Sequence, residues 1–108
     1  MKKEGVIYQN DTERDRILVK RVKAGDTAAF SELVRLHQQG IFKLAYNFFN
    51  DRDEAMEIVQ ESFLRAYEKL DKFEGIKGKG AFKSWLYRIA YNLCIDFYRK
   101  VRKGRVVD

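Results

Sequence analysis

Proline is absent from the 108 residues, where average usage would supply about five. That absence favours helices joined by short polar or glycine-rich connections. The single cysteine, Cys94, rules out an internal disulfide and suits a reducing cytosol. The single histidine, His37, leaves too few ligands for a zinc site of the Cys/His type, and no metal or other cofactor is expected. No apolar run approaches the roughly 18 residues that span a bilayer. The opening Met1-Lys2-Lys3-Glu4-Gly5 lacks the apolar stretch of a signal peptide. Membrane insertion is therefore not expected, and a cytoplasmic location is.

What is present points to one folded domain. Hydrophobic residues make up 45% of the chain, too many for a disordered tail, and the length fits a single core. The net charge is +6, which by itself marks a polyanion as a partner. Its distribution is more informative. Residues 51–71 carry seven acidic and three basic groups, whereas residues 72–108 carry ten basic and three acidic. One face is thus suited to a basic protein surface and another to nucleic acid. Simple solvation of helix surfaces is the alternative, weaker at the basic end because aromatic residues accompany the cations there.

The periodicity is helical throughout. A short helix is expected over residues 12–24 with Ile17, Leu18 and Val22 as its apolar stripe and Gly25 as its stop. Asp26 is the expected N-cap of a second helix over 27–49, whose buried face is Phe30, Leu33, Val34, Ile41, Leu44, Ala45 and Phe48. Gly40 inside that pattern marks a kink or a close helix approach. Asp51 with Glu54 resembles a capping box opening a third helix to about Leu70, lined by Ala55, Ile58, Val59, Ser62, Ala66 and Leu70. Phe73–Gly80, FEGIKGKG, reads as a loop. A fourth helix over 81–102 has Phe82, Leu86, Ile89, Ala90, Leu93 and Phe97 as its core stripe. The expected fold is all-α, a compact bundle of three main helices plus a short leading one. Residues 1–10 are expected as a flexible leader and 11–103 as the domain.

The other flank of the fourth helix carries the chemistry. Ser84, Arg88, Tyr91, Asn92, Ile95, Tyr98, Arg99 and Arg102 recur there at steps of three or four, with Trp85 and Tyr87 near the edges. Rings stack on unpaired bases and cations hold phosphates, while Arg and Asn can form bidentate contacts with base edges. Tyr91 and Tyr98 are expected to be exposed; Trp85 suits either core burial or DNA contact. Lys77 and Lys79, set between glycines, suit a basic loop that folds around a flipped nucleotide, or a plain solvated linker.

Three segments in order carry a family resemblance: AGDTAAFSELVRLHQQGIFKLAYNFFND, DEAMEIVQESFLRAYEKLDKF and GAFKSWLYRIAYNLCIDFYRK. Together, over about residues 14–103, they resemble the second conserved region of the sigma-70 family in its extracytoplasmic-function branch. The resemblance implies a promoter −10 recognition and strand-opening subunit that is not an enzyme. It implies a helix around Asp53, Glu57, Gln60 and Glu61 that docks on the clamp helices of the largest subunit of core RNA polymerase. The 73–80 loop, with Lys77 and Lys79, would take a base flipped from the non-template strand. Trp85, Arg88, Tyr91 and Asn92 would lie along the melted DNA, with Tyr98 on the same flank, and Lys83, Arg99 and Arg102 would hold phosphates. An anti-sigma factor is a further family expectation. Glu57 stands where many members have Asp, which keeps the charge on a longer arm. The family's helix-turn-helix that reads the −35 element is not among these residues, and the resemblance implies that residues 104–108 would start an interdomain linker.

Two other readings compete. A generic helical nucleic-acid-binding module explains the basic end but not the acidic third helix. An enzyme would have to use Asp96, His37 or Cys94, and no two of these share a spacing suited to acid–base work. His37 reads as a surface or boundary histidine and Cys94 as a thiol packed beside the core stripe.

Overall fold

The computed structural model describes residues 8–73 and 81–107, with side chains up to residue 101. Four α-helices and one 3-10 turn make up the described residues, with no strand among them: α1 (Asp11–Lys23), α2 (Thr27–Phe49), α3 (Arg52–Lys69), the turn Leu70–Lys72, and α4 (Ala81–Val107). The fold is all-α, as the periodicity implied.

Local chemistry sets most of the boundaries. Asn10 opens α1, its side-chain oxygen accepting from the Glu13 amide at 2.8 Å. Asp51 opens α3 in the same way, accepting from the Glu54 amide at 3.0 Å. Asn50 closes α2 in the left-handed conformation, φ 53°, which Asn tolerates better than most side chains. Gly25, at φ 107°, makes the corresponding turn between α1 and α2. Asp26 holds the N-cap position of α2, as expected, its carbonyl accepting from the Ala29 amide at 3.1 Å. Its side chain makes no cap hydrogen bond and instead accepts from Arg21 Nε and Nη2 at 3.0 and 2.7 Å. That hydrogen bond holds the Asp26 carboxyl below its ordinary range. The fourth helix continues to Val107, past the expected end at residue 102.

Side-chain pairs give the packing directions. Helices α2 and α3 form an antiparallel hairpin, with Phe30 edge-on to Phe63 and Tyr67 at one end and Arg52 over the Phe42 ring at the other. Helix α4 runs parallel to α2, pairing Phe82 with His37, Tyr87 with Gly40, and Tyr91 and Tyr98 with Phe48. Helix α1 crosses the first halves of both. Leu18 and Val19 join Leu33, Ile41, Val59, Phe63, Leu86 and Ala90 in one core; Ala45, Ala55, Ile58 and Cys94 form a second cluster towards the far end. Val19 and Phe63 were absent from the expected stripes, and Cys94 lies within its stripe, not beside it. Burying a side chain of Leu, Val or Phe size contributes about 1.5–3 kcal/mol, so Val19 and Phe63 count.

One sequence expectation changes, and one open alternative is resolved. His37 is not a surface residue: it is buried, and its Nε2 lies 2.9 Å from Oδ2 of buried Asp15. A buried imidazole needs a polar partner, and α1 supplies one that helical periodicity cannot reveal. Arg14 holds the other carboxylate oxygen of Asp15 at 3.1 Å. Gly40, for its part, marks a close approach: a Cβ there would lie 1.8 Å from the Tyr87 hydroxyl.

Candidate nucleic-acid and protein interfaces

Helix α4 presents a crest. Arg88, Asn92 and Arg99, at steps of four and seven, point away from the core strip of Leu86, Ala90 and Cys94, and all three are exposed. Ser84 extends the crest towards the helix N-terminus, also exposed.

The aromatic residues expected beside these cations divide between the two flanks. Trp85 is half-buried and stacks on buried Phe73, ring centroids 4.5 Å apart and planes 29° apart, with Phe82 at 6.0 Å. Lys23 of α1 donates to the Phe73 carbonyl, fixing the ring on which Trp85 rests. Phe73, read from sequence as the first loop residue, is thus a core residue. On the opposite flank Tyr91 and Tyr98 are 49% and 40% exposed and stand edge-on to Phe48 at 5.7 and 6.4 Å. Lys83 is exposed, its ammonium 5.6 Å from the Tyr87 ring centroid. Lys77 and Lys79 lie outside the described residues, as does the side chain of Arg102, whose backbone belongs to α4.

Helix α3 presents a second face. Asp53, Glu57 and Gln60 are exposed, and Glu61, partly covered, accepts from Arg65 Nε at 3.3 Å. The structure therefore brings this predicted set together on one side of one helix. Sequence reading missed the apolar residues among them. Leu64 is 52% exposed, Met56 43%, and Tyr67 is exposed too. All three fall off the strip Ala55–Ile58–Val59–Ser62–Ala66, which was the available signal: large apolar residues on the polar side of an amphipathic helix. Beside Met56 a groove of about 340 Å³ opens between α2 and α3, lined by Gln38, Gln39, Phe42 and Arg52. Acidic groups and amides around exposed apolar side chains suit a protein partner with basic side chains at the rim. No group of three or more His, Cys, Asp or Glu able to hold a metal occurs among the described residues. No helix among them is long and apolar enough to cross a membrane.

The described residues thus form an all-helical domain with a cationic crest on one helix and an acidic, partly apolar face on another. The Sigma-70 region 2 family model matches residues 33–104. The chain belongs to the sigma-70 family, in its extracytoplasmic-function branch. It is similar to the ECF RNA polymerase sigma factor SigW of Bacillus subtilis, 42% identical over 90 residues, 83% of this chain and 46% of that protein. It is also similar to the RNA polymerase sigma-H factor of Pseudomonas aeruginosa, 45% identical over 80 residues, 74% of this chain and 40% of that one. The chain spans less than half the length of these curated relatives. An NMR structure of an engineered region 2 of sigmaE in complex with GTAAAA matches with a TM-score of 0.73 and 36% identity, over 93% of this chain and 99% of that one.

Proposed function

We propose that this domain binds core RNA polymerase through the exposed face of α3 and directs it to promoters by holding the −10 non-template strand along α4. The observation that carries the proposal is the segregation of the two faces: Leu64 and Met56 stand among Glu57 and Gln60 on α3, while Arg88, Asn92 and Arg99 line α4. A module that bound only nucleic acid would have no use for exposed apolar side chains on an acidic helix. On this reading Asp53, Glu57, Gln60 and Glu61 meet basic side chains of the polymerase clamp helices. Trp85, Arg88, Tyr91, Asn92 and Tyr98 meet bases, and Lys77, Lys79, Lys83, Arg99 and Arg102 meet phosphates or the flipped nucleotide. The domain is a cytoplasmic, non-enzymatic initiation subunit. An anti-sigma factor that covers either face is the expected inhibitor.

Energetics limit what the domain does alone. Opening duplex DNA costs about 1.4 kcal/mol per base-pair step, and a base stacked on an aromatic ring recovers about 1–3 kcal/mol. A few captured bases offset a few steps, not a transcription bubble. The domain therefore traps bases that are already unpaired, and polymerase supplies the rest.

The test separates the two faces. Leu64→Asp should abolish capture of core polymerase while leaving affinity for the single strand GTAAAA, the hexanucleotide of the sigmaE neighbour's complex, within about twofold. Arg88→Ala with Arg99→Ala should do the reverse. The slope of log K against log salt should also become shallower by about 0.7 for each phosphate that is no longer neutralised. Polymerase capture unaffected by Leu64→Asp would rule out the α3 face as the docking surface.

A further inference from the structure

The flank of α4 that carries Tyr91 and Tyr98 forms a site of its own. Helix α1 fills the crevice between α2 and α4 only over its first half, where Asp15 meets His37 and Leu18 and Val19 enter the core. Beyond Gly40 the crevice is open, a groove of about 740 Å³ whose walls include Asn47, Phe48, Tyr87, Tyr91 and Tyr98. That volume lies in the range of small-molecule sites.

We infer that this groove is a second base-binding subsite, in which an unpaired nucleobase of single-stranded DNA inserts between Tyr91 and Tyr98 over Phe48. The inference rests on the proposed DNA-binding role of α4 and adds a seat on the flank opposite Trp85.

Three observations support it. First, the spacing suits a flat ring. Seven residues separate the two tyrosines, about 10.5 Å of helix rise at 1.5 Å per residue. A ring stacked on both sides needs about 7 Å between its neighbours at ordinary carbon–carbon contact of 3.5 Å, so the base enters as the two tyrosines swing together by about 3.5 Å, its edge over the face of Phe48, which both rings already flank. An α-helix, about 10–12 Å across, does not fit between the two rings and would have to ride on top of them. Second, the walls carry edge-recognition chemistry. The Asn47 amide can donate and accept at once, which suits a base edge, and the Tyr91 hydroxyl adds a further polar point. Third, the rim is cationic. Lys83 lies over the Tyr87 ring at 5.6 Å, and exposed Lys43 sits three residues after Gly40 and four before Asn47, along the same edge of α2. Both can meet the flanking phosphates.

The crest then has an aromatic seat on each side, Phe73–Trp85 on one and Tyr91–Phe48–Tyr98 on the other. Such a ridge can hold two unpaired nucleotides apart while Arg99 meets the backbone beside them.

The experiment uses the full chain and single-stranded dodecamers that carry GTAAAA between thymidine flanks, with 2-aminopurine placed at each position in turn. Stacking on tyrosine quenches 2-aminopurine. The expected result is a quenched position that Tyr98→Leu or Tyr91→Leu restores to full fluorescence, with Kd raised about tenfold by loss of one stacked base. Tyr98→Phe, which keeps the ring, should recover most of that affinity. Arg99→Ala should weaken every oligonucleotide and leave the quenched position unchanged. Thermal melting followed by circular dichroism checks that each variant folds. Unchanged quenching and a Kd within twofold in both leucine variants would overturn the subsite while leaving the crest reading intact. Loss of polymerase capture by those variants, with DNA binding preserved, would reassign the groove to a protein partner. Failure of the wild-type chain to bind any dodecamer would remove the DNA reading and the subsite together.

Discussion

Substituting Gly40 by alanine tests the close approach of α2 and α4 and, with it, the shape of the tyrosine groove. A methyl group there would lie 1.8 Å from the Tyr87 hydroxyl and 3.1 Å from its Cζ, so the phenol must retreat by more than an ångström. Overpacking of this kind costs about 1–3 kcal/mol. Replacing an interior helical glycine with alanine returns about 1 kcal/mol through backbone entropy. The net expectation for Gly40→Ala is a loss of about 0–2 kcal/mol. In a Tyr87→Phe background the offending oxygen is gone. The nearest atom is then the ring carbon at 3.1 Å, which needs to yield only a few tenths of an ångström. There the same substitution should be neutral or stabilise by up to about 1 kcal/mol. The two sites should therefore couple by about 1–2 kcal/mol, well above the 0.3–0.5 kcal/mol scatter of independent sites. Urea unfolding of wild type, both single variants and the double variant measures this directly, provided the m-value stays constant. An identical cost of Gly40→Ala in both backgrounds, within about 0.5 kcal/mol, would refute the reasoning.

Three further predictions concern buried polar groups. Asp15→Ala should destabilise the domain by about 2 kcal/mol, because it removes the hydrogen-bond partner of buried His37; urea unfolding checks it, and a change under 0.5 kcal/mol would contradict the α1 anchor. The hydroxyl of Ser62 is fully buried and has no hydrogen-bond partner among the described residues, so Ser62→Ala should raise stability by about 1 kcal/mol, visible as a higher urea midpoint. Burial pushes the Cys94 thiol up to about 11, so in the native protein it should resist iodoacetamide at pH 8 and react once unfolded. The linkage has a defined sign. The unfolded thiol ionises near its ordinary value of about 8.5 while the buried one stays protonated. Its contribution to stability is thus complete below pH 8.5 and is lost as pH rises towards 11, a decline that Cys94→Ala should reduce.

The α4 helix illustrates how far periodicity alone can reach. Leu86, Ala90 and the crest of Arg88, Asn92 and Arg99 were assignable from the 3.6-residue repeat, because an isolated helix already separates its faces. The same rule located Ala55, Ile58, Val59, Ser62 and Ala66 on the inner face of α3, and the Asp51 cap at its start. It could not say which neighbour each flank would meet. Trp85 and Tyr91 differ in their surroundings only because Phe73 arrives on one side and Phe48 on the other. The exposed apolar group on α3 was visible as a violation of the repeat, at Met56, Leu64 and Tyr67, but whether a helix covered it was not.

By itself, then, the sequence determined that four helices form, where most of them begin, which faces turn inward, and that acidic and basic surfaces lie on different helices. These are properties of single segments, governed by hydrogen bonds within a few residues and by a fixed rotation per residue. Only the tertiary structure decided that His37 is buried against Asp15, that Gly40 admits Tyr87, and that the rings of α4 divide between two flanks. Each of these depends on two segments distant in the chain meeting at a particular depth and angle, and that is set by how all four helices share one core.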